Sequence, residues 1–265
     1  VNTGKLTCKG IAAHLIPQSY AVGTKVLSGA YAAANYANFI ADPQNEITLY
    51  INSSGDLIDR QSTNVCTLSA FGTGSISYTS VKEAVNALGT ESGTITLISD
   101  DIVEDTITVS GNVRIVSEKN TNRNLTRYYT CTGDMFEVLP GASLEFGLRN
   151  NATLTVDGSY TLSGLTGGAV VNNNGTFILN DGATISNNHN NQSNGGAING
   201  NGDTVILGGT ITGCSAASGG AVYSVCGDVT KVVGTEIVGD TEVEITKTYP
   251  GLQIKGGSIT DNTAA

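Results

Sequence analysis

Short runs in which aliphatic and polar residues alternate dominate the chain from residue 93 onward. Such alternation has the two-residue period of a half-buried strand, and the Gly, Asn and Asp between the runs favour turns. The pattern predicts strands at 94–98, 106–109, 113–116, 135–138, 143–146 and 153–156. This region is therefore expected to consist of many short strands rather than helices.

Three sequence elements recur in step along the second half of the chain. The triplet Gly-Gly-Ala followed by a branched aliphatic residue occurs at 167–170, 195–198 and 219–222. A second element occurs at 183–188, 209–214 and 257–262. It begins with a small residue, continues with Ile between two Ser or Thr residues, and ends in turn-forming residues. A third, strand-like element occurs at 176–179, 204–207 and 252–255. Repetition at about 25 residues indicates a solenoid, in which each unit buries its apolar face against the next. Three strand-sized pieces per unit predict three-sided coils over residues 79–265, with roughly seven coils from residue 93.

Two segments are expected to leave this stack, and one helix is expected to precede it. Residues 118–127 are polar and locally basic, which predicts a solvent-exposed loop, and residues 223–250 contain alternating runs that predict a hairpin insertion. Residues 79–89 predict an amphipathic helix in which Ser80 and Glu83 form a capping box and a glycine ends the helix. This helix is placed to cover the first coil.

Residues 1–78 do not share the repeat. An Ala- and Tyr-rich stretch at 22–41 predicts a helix, and 47–51 predicts a strand. The region is either a separate small domain or an N-terminal cap. The chain begins with Val and stops inside a repeat unit without a polar cap, so we expect a processed or trimmed product whose stack continues beyond residue 265.

The composition narrows the range of partners. Charged residues make up 14% of the chain and the net charge is −10, with no basic stripe that could bind phosphates or an anionic membrane surface. No apolar run approaches the ~20 residues that a spanning helix needs. We therefore expect no nucleic-acid binding and no membrane insertion within this segment.

The five cysteines are Cys8, Cys66, Cys131, Cys214 and Cys226. Their spacing fits no zinc pattern, and they are expected to be small buried residues. An oxidising compartment would allow Cys214–Cys226 or Cys8–Cys66 to form a bridge, although the odd count argues against a complete disulfide framework.

These repeats resemble those of two groups of surface proteins. The chlamydial polymorphic outer-membrane family carries Gly-Gly-Ala-aliphatic and Phe-x-x-Asn repeats, which stand here as the three triplets and as residues 177–180. Large secreted proteins of Gram-positive gut bacteria show runs similar to 135–144 and 154–158, followed by Gly-Gly-Ala and Ile-Ser-Asn-Asn units. The resemblance covers residues 79–265 and implies an all-β, right-handed parallel β-helix of the pectin-lyase-like superfold. It also implies an adhesin, stalk or surface-display role.

Pectin-lyase-like enzymes cut acidic polysaccharides, so we considered carboxylates that could act as acid and base. Hydrolases need such groups clustered on one face. The candidates are Asp100, Asp101, Glu104, Asp105, Asp181, Asp203 and Asp228. Asp100 and Asp101 follow a strand, where Asp is a common turn residue. Arg149 and Lys231 have no acidic cluster repeating beside them, and we expect no catalytic residue, metal site or cofactor.

Asn-rich segments give the weak binding candidates Asn187, Asn188, His189, Asn190 and Asn191. We expect these residues to form a polar loop in which His189 is exposed to solvent. Asn tolerates left-handed turns and stacked amides bond from coil to coil, so the segment is structural, or forms a ledge for glycans, or both.

Thr-x-Thr pairs at 94–96, 106–108, 153–155 and 210–212 raise an ice-binding alternative. Their uneven intervals do not place the pairs on successive coils of one face, which argues against it.

Three functions therefore stay open. The first is a non-catalytic extracellular or cell-surface module, adhesin-like, that presents residues 117–134 and 223–250 to a host or bacterial surface protein or glycan. The second is a polysaccharide-binding or polysaccharide-degrading β-helix. The third is a stalk or assembly subunit that associates end to end through its uncapped C-terminal coil.

Overall fold

The computed structural model describes residues 13–15, 39–41, 49–51, 57–59, 64–70, 74–128, 130–148, 152–159, 167–225, 228–238 and 241–264. Among the described residues, strands predominate and a single short helix is present, which fits the predicted all-β class. Most of the strands lie in parallel sheets, an arrangement compatible with a β-helix or solenoid-like fold.

One helix, α1 (Val81–Leu88), lies among the strands of the described residues. In chain order the strands are β1 (Ala13–Leu15), β2 (Phe39–Ala41), β3 (Leu49–Ile51), β4 (Leu57–Asp59), β5 (Cys66–Ala70), β6 (Ile76–Tyr78), β7 (Ser92–Leu97), β8 (Asp101–Val103), β9 (Ile107–Val109), β10 (Asn112–Ser117), β11 (Asn122–Arg127), β12 (Phe136–Val138), β13 (Ser143–Phe146), β14 (Thr153–Asp157), β15 (Val171–Asn173), β16 (Thr176–Leu179), β17 (Ala183–Ser186), β18 (His189–Asn194), β19 (Ile198–Gly200), β20 (Asp203–Ile206), β21 (Thr210–Thr212), β22 (Ser215–Ser218), β23 (Val222–Ser224), β24 (Asp228–Val238), β25 (Thr241–Pro250), β26 (Leu252–Ile254), β27 (Ser258–Thr260) and β28 (Thr263–Ala264).

Consecutive strands visit three parallel sheets in rotation from β7 onward. Sheet A has the spatial order β26-β20-β16-β13-β10-β7-β5-β6, sheet B the order β27-β21-β17-β14-β11-β8, and sheet C the order β23-β19-β15-β12-β9. A smaller sheet D, β18-β22-β28, occupies the path between sheets B and C in the later passes. Each pass of the chain through the three sheets therefore stacks on the one before it.

Inward-facing aliphatic and aromatic residues form a column in each sheet. In sheet A the pairing joins Ile95, Ile115, Phe146, Leu179, Ile206 and Ile254. In sheet B it joins Leu125, Val156, Ile185, Ile211 and Ile259, and in sheet C it joins Ile107, Phe136, Val171, Ile198 and Val222. Side chains two apart point to the same face of a strand, so this register buries the inward residues of the columns up to Ile206 in sheet A, Ile211 in sheet B and Ile198 in sheet C.

The helix confirms its sequence prediction. Ser80 is the N-cap and its hydroxyl accepts a hydrogen bond from the Glu83 amide, while Gly89 ends the helix at φ 61°. The Glu83 carboxylate bonds back to the amide and hydroxyl of Thr79. The buried face of α1 packs on the hydrophobic core that the sheets enclose.

The predicted loop at 118–127 is confirmed at residues 118–121, which form a turn outside the strands, but it is wrong at residues 122–127, which form β11 within sheet B. Its inward residue Leu125 is buried, and the polar side chains on either side obscured the strand period. The number of coils also differs from the expected seven, since sheet B contains six strands. The residues that pair in succession across sheet A are Ser92, Asn112, Ser143, Thr176 and Asp203. Several of the intervals between them are longer than the repeat of about 25 residues assumed from the sequence.

The predicted hairpin insertion is confirmed by the antiparallel pair β24–β25. Its predicted start at residue 223 is wrong, because Tyr223 and Ser224 belong to β23 and pair with β19. The insertion therefore begins after the last strand of sheet C.

The N-terminal predictions lie mostly outside the described residues. Within the predicted helix at 22–41, residues 39–41 instead form β2, which pairs in parallel with β1, so the helix is wrong there. The predicted strand at 47–51 is confirmed at Leu49–Ile51. Strand β5 joins sheet A antiparallel to β7, and β6 pairs antiparallel with β5 at the edge of that sheet. The division of the chain at residue 78 stays a prediction.

Cys66, Cys131 and Cys214 are buried, as predicted. The Cys66 thiol donates to the Ser80 carbonyl, 3.5 Å away, and Cys131 and Cys214 are free thiols. Cys8 and Cys226 lie outside the described residues, so the proposed bridges that involve them stay untested.

Candidate functional site

The Asn187–Asn188 pair forms the corner between sheets B and D rather than a loop. Asn187 is exposed and has φ 56°, and Gly213 and Asp261 occupy the equivalent left-handed corner position in the next two passes. Asn188 is fully buried, and its amide donates to the carbonyls of Gly168 and Gly196. Asn188 therefore supports the fold and does not face a ligand.

The remaining candidates of that segment lie on β18, so the predicted polar loop is wrong. His189 is exposed, as predicted, with Nδ1 2.8 Å from the Ser215 hydroxyl. Asn190 is buried and donates to the carbonyls of Asn194 and Gly195 at 3.0 and 3.2 Å. The Asn191 side chain lies outside the described residues. Asn187 and His189 are thus the two candidates known to reach solvent, and their role in binding stays a prediction.

Several of the candidate carboxylates accept hydrogen bonds from backbone amides or form ion pairs. Asp101 is buried, and its two oxygens each accept a hydrogen bond of 2.8 Å, from the amides of Val81 at the start of α1 and of Ile102. Asp100 accepts from the Asn124 amide at 2.9 Å, and Asp105 pairs with Lys82 at the surface.

The other candidates do not add to a cluster. Glu104 and Asp181 lie at connections, and Asp203 is a buried residue of β20. The side chains of Asp228 and Lys231, and the whole of Arg149, lie outside the described residues. In the part of the chain that the structure covers, no three His, Cys, Asp or Glu side chains are grouped to hold a metal ion.

A buried arginine, which the sequence prediction placed at the end of a solvent loop, is the last residue of β11. Arg127 is 2% exposed, and its two terminal nitrogens donate to four carbonyls and to Asn188 Oδ1. The carbonyls belong to Cys131, Gly133, Gly168 and Ala169. The charge is therefore surrounded by backbone dipoles from two passes, which compensates for its removal from water.

Asp134 links this end of β11 to the outer face of sheet C. Its Oδ1 accepts from the Ala169 amide at 2.7 Å and its Oδ2 from the Asn172 side-chain amide at 3.0 Å. Burial raises the pKa of the Asp134 carboxyl above its ordinary value, while these two hydrogen bonds and the Arg127 charge oppose the rise. A Cβ at Gly168 would collide with this carboxylate, which explains one glycine of the first repeat triplet.

The outer face of sheet C carries a regular set of polar side chains. Strand pairing aligns Thr108, Glu137, Asn172, Asn199 and Tyr223 in one column across five strands. Asn174 and Asn201 lie two residues further along their chains and form the start of a second column. We call Glu137, Asn172, Asn174, Asn199, Asn201 and Tyr223 the amide face.

These side chains are half-buried to exposed, and several have polar groups available for a partner. Asn201 donates to Asn174 Oδ1 at 3.1 Å, and Asn172 donates to Asp134. Glu137, Asn199 and Tyr223 make no side-chain hydrogen bond with the described residues. Glu137 and Asp134 make one end acidic, and Tyr223 stands at the other end of the column.

Sequence reasoning missed the amide face as a surface. The signal is an Asn-x-Asn spacing after the Gly-Gly-Ala triplet, at 172–174 and 199–201. It was obscured because the first triplet is offset by one residue: Val171, rather than Val170, pairs with Ile198.

The Thr-x-Thr pairs are distributed over all three sheets. Thr94 and Thr96 lie on sheet A and Thr108 on sheet C, while 153–155 and 210–212 lie on sheet B with β17 between them. The pairs thus do not occupy successive strands of one face.

No protein-family model, no curated protein and no solved structure matches this chain. No helix among the described residues has both the length and the apolar character needed to cross a membrane.

Proposed function

We propose that this chain is a non-catalytic recognition module of an extracellular surface protein, an adhesin-like right-handed parallel β-helix whose amide face binds a host or bacterial surface partner. The observation that carries this proposal is the amide face itself. It presents amides, a carboxylate and an aromatic ring in register across four strands. Each of these strands is fixed by hydrogen bonds to its neighbours, so the face is organised before a partner arrives.

The rotation of the chain through sheets A, B and C supports the β-helix. Connections between parallel strands of one sheet are right-handed in about 98% of known cases, which is the reason for proposing that hand. The likeness of the repeats to those of secreted and outer-membrane surface proteins supports a location outside the cell, at the cell surface or secreted.

A polysaccharide-degrading β-helix is the second candidate, and one observation favours it. Glu137 and Asp134 both lie at the same end of the amide face, and glycoside hydrolysis uses two carboxylates. Against it, both Asp134 oxygens already accept hydrogen bonds that stabilise the fold.

An assembly role is supported by a different observation. Ile254 and Ile259 continue the inward columns of sheets A and B but are 57% and 39% exposed. Either further coils of the same protein or end-to-end contact with a second copy would cover them. Light scattering of the purified chain over a range of concentrations tests this, and a strictly monomeric chain contradicts it.

The recognition proposal is tested by measuring binding and turnover on the same panel. The full chain is offered immobilised mucin, pectin, alginate, neutral glucans and intact bacterial cells, and released products are assayed in parallel. We expect binding without product release, and Asn199→Ala should weaken that binding. Gln253→Ala is the matched control, because this amide points outward from sheet A.

Product release that Glu137→Gln abolishes would replace this proposal with the degrading enzyme. Asp101→Ala is unsuitable for that purpose, because it removes the acceptor of the first amide of α1 and confuses lost folding with lost chemistry.

A further inference from the structure

Building on the proposed recognition function, we infer that the amide face binds a neutral, unbranched glycan that lies along the column direction, with one sugar ring packed on Tyr223. The inference names the ligand class from the chemistry of six side chains, their spacing and their charge.

The amide face offers both donors and acceptors at its asparagine positions and an acceptor at the Glu137 carboxylate. A side-chain amide has two N–H donors and a carbonyl acceptor, and a sugar hydroxyl is likewise donor and acceptor. The Asn199 amide is free of side-chain partners among the described residues, and the Asn172 amide donates one hydrogen bond among them, to Asp134. Carbohydrate hydroxyls therefore find a complementary group on each of the central strands.

The spacing of the column suits a linear polymer rather than a compact ligand. Neighbouring strands are about 4.8 Å apart, which is comparable to the length of one sugar residue in an extended chain. Glu137, Asn172, Asn199 and Tyr223 are direct neighbours in that order. A chain that runs perpendicular to the strands meets one side chain of the column per sugar.

The charge of the face excludes acidic glycans. Its only charged member is the Glu137 carboxylate, with Asp134 adjacent to Asn172, and no lysine or arginine belongs to it. The net charge of −10 adds repulsion toward uronic-acid polymers at longer range. An uncharged polymer avoids this repulsion, and the carboxylate accepts hydrogen bonds from its hydroxyls.

Tyr223 supplies the apolar contact that the amides cannot. Its ring lies on the strand next to Asn199, half-buried, and its hydroxyl makes no hydrogen bond with the described residues. Aromatic rings bury apolar surface at little entropic cost, and the C–H face of a sugar ring is such a surface.

Calorimetry with the full chain tests the inference. The probes are hexasaccharides of β-linked glucose, mannose and N-acetylglucosamine, an oligogalacturonate of equal length, and an oligolysine peptide. We expect at least one neutral probe to bind and the oligogalacturonate to fail. Tyr223→Ala and Asn199→Ala should each weaken the neutral probe about tenfold or more, as central interface residues do. Gln253→Ala should leave its affinity unchanged.

Each alternative result contradicts a different statement. A neutral probe whose affinity neither variant changes shows that the amide face is not the site. If oligolysine binds, both variants weaken its binding and no glycan binds, the amide face is still the binding site but its ligand is a cationic protein segment. If none of the probes binds, the glycan inference fails, while the recognition function still depends on the panel of cells and mucin. Urea unfolding of each variant shows whether lost binding is lost folding.

Discussion

Arg127 illustrates how single residues in this protein satisfy buried polar groups of neighbouring passes. Its guanidinium contacts four carbonyls and the Asn188 amide at a corner where the chain leaves sheet B. Removing a buried charge leaves its partners without hydrogen bonds in a region closed to water. The contacts join residues that are far apart in sequence, so the side chain ties passes together.

The first prediction follows from this contact set. Arg127→Met should lower the free energy of unfolding by about 3 kcal/mol, because the carbonyls lose their donors. Arg114→Met is the matched control, since Arg114 pairs with Glu145 at 2.7 Å on the outer face of sheet A. That pair lies on the half-buried outer face and remains accessible to water, so it should contribute less than about 1 kcal/mol. Urea unfolding of both variants measures the difference, and equal losses would contradict the role of Arg127.

The second prediction concerns the buried thiol of Cys214. Burial raises the pKa of Cys214 to about 11 from its ordinary value of 9.0, so the thiol stays protonated in the fold near neutral pH. A protonated, buried thiol is a poor nucleophile, and labelling by iodoacetamide at a pH of about 8 should be slow until urea unfolds the chain. Peptide mapping by mass spectrometry reports the site. Rapid labelling of folded protein at Cys214 would contradict the burial.

The same shift predicts how stability depends on pH. Because the folded pKa lies above the unfolded one, the contribution of Cys214 to stability is complete below pH 9.0 and is lost as pH rises towards about 11. The alkaline decline in the free energy of unfolding should be smaller in Cys214→Ala than in the unmodified chain. An identical decline in both would show that the thiolate does not limit stability.

Helix α1 and the glycine triplets show at the scale of elements how local sequence controls packing. Asp101 belongs to β8 yet accepts from the first amide of α1, so helix and sheet share one carboxylate. In the triplets, Gly195 and Gly219 adopt φ 73° and 65°. The glycine that follows each of them approaches the backbone of the next pass too closely for a side chain. The triplets therefore serve packing of the stack, not chemistry.

The third prediction is that Asp101→Ala destabilises the fold by about 2 kcal/mol, because two backbone donors lose their acceptors. Asp105→Ala should cost less than about 0.5 kcal/mol, since its pair with Lys82 is solvent-exposed. Thermal unfolding followed by circular dichroism compares them. A similar loss in both variants would mean that the two backbone hydrogen bonds to Asp101 do not stabilise the fold.

The fourth prediction is that Gly196→Ala costs at least about 2 kcal/mol, because its Cβ would overlap the Gly220 carbonyl oxygen, a backbone atom. Gly74→Ala has open space around it and should be neutral or slightly stabilising by up to about 1 kcal/mol. Denaturant titration separates the two. A tolerated Gly196→Ala would show that neighbouring passes are not closely packed at this point.

Sequence analysis correctly predicted the elements in which apolar residues recur at the regular spacing of a strand or a helix. Strand β13, the hairpin and the capping box of α1 follow local rules and were predicted. Strand β11 was missed because it holds a single inward aliphatic, Leu125, and ends in an arginine whose solvation comes from distant carbonyls.

The register of the third repeat element was also off by one residue. The repeat matched Thr176 with Thr204, but the structure pairs Phe177 with Thr204. Thr204 is therefore fully buried, and the buried amide of Asn173 donates to its hydroxyl at 3.2 Å. A polar residue in a core column is acceptable only with such a partner, which lies in the previous pass and cannot be read from local sequence.

The amide face depends on the same long-range register. Asn172, Asn199 and Tyr223 are far apart along the chain and become neighbours only when the passes stack. Sequence reasoning named nearby Asn-rich segments instead, and two of those side chains, Asn188 and Asn190, are buried.

At the scale of the whole molecule, continuous columns hold the passes together and the hairpin lies outside them. Gly200 pairs with Ser224 and Thr204 pairs with Leu252, so three residues join sheets C and A in one pass. In the next pass, the connection between sheets C and A contains the hairpin β24–β25. Its stability should therefore be independent of the inward columns.

The fifth prediction is that replacing residues 226–250 by one glycine leaves the stack folded. The resulting link, Val225-Gly-Gly251, has the same length as residues 201–203. The free energy of unfolding should change by less than about 1 kcal/mol, since only a surface loop is shortened. Circular dichroism and urea titration measure this. Loss of the cooperative transition would show that the hairpin contributes to the core.

The step between Val225 and Gly251 also offers a place for engineering. A sequence inserted there leaves the stack after Val225 and returns to it at Gly251. The strands before and after the insertion, β23 and β26, remain paired with β19 and β20. An epitope or a fluorescent reporter grafted there would be displayed without altering the amide face. The protein thus provides a scaffold on which a foreign loop can be exchanged while the strands of the stack stay paired.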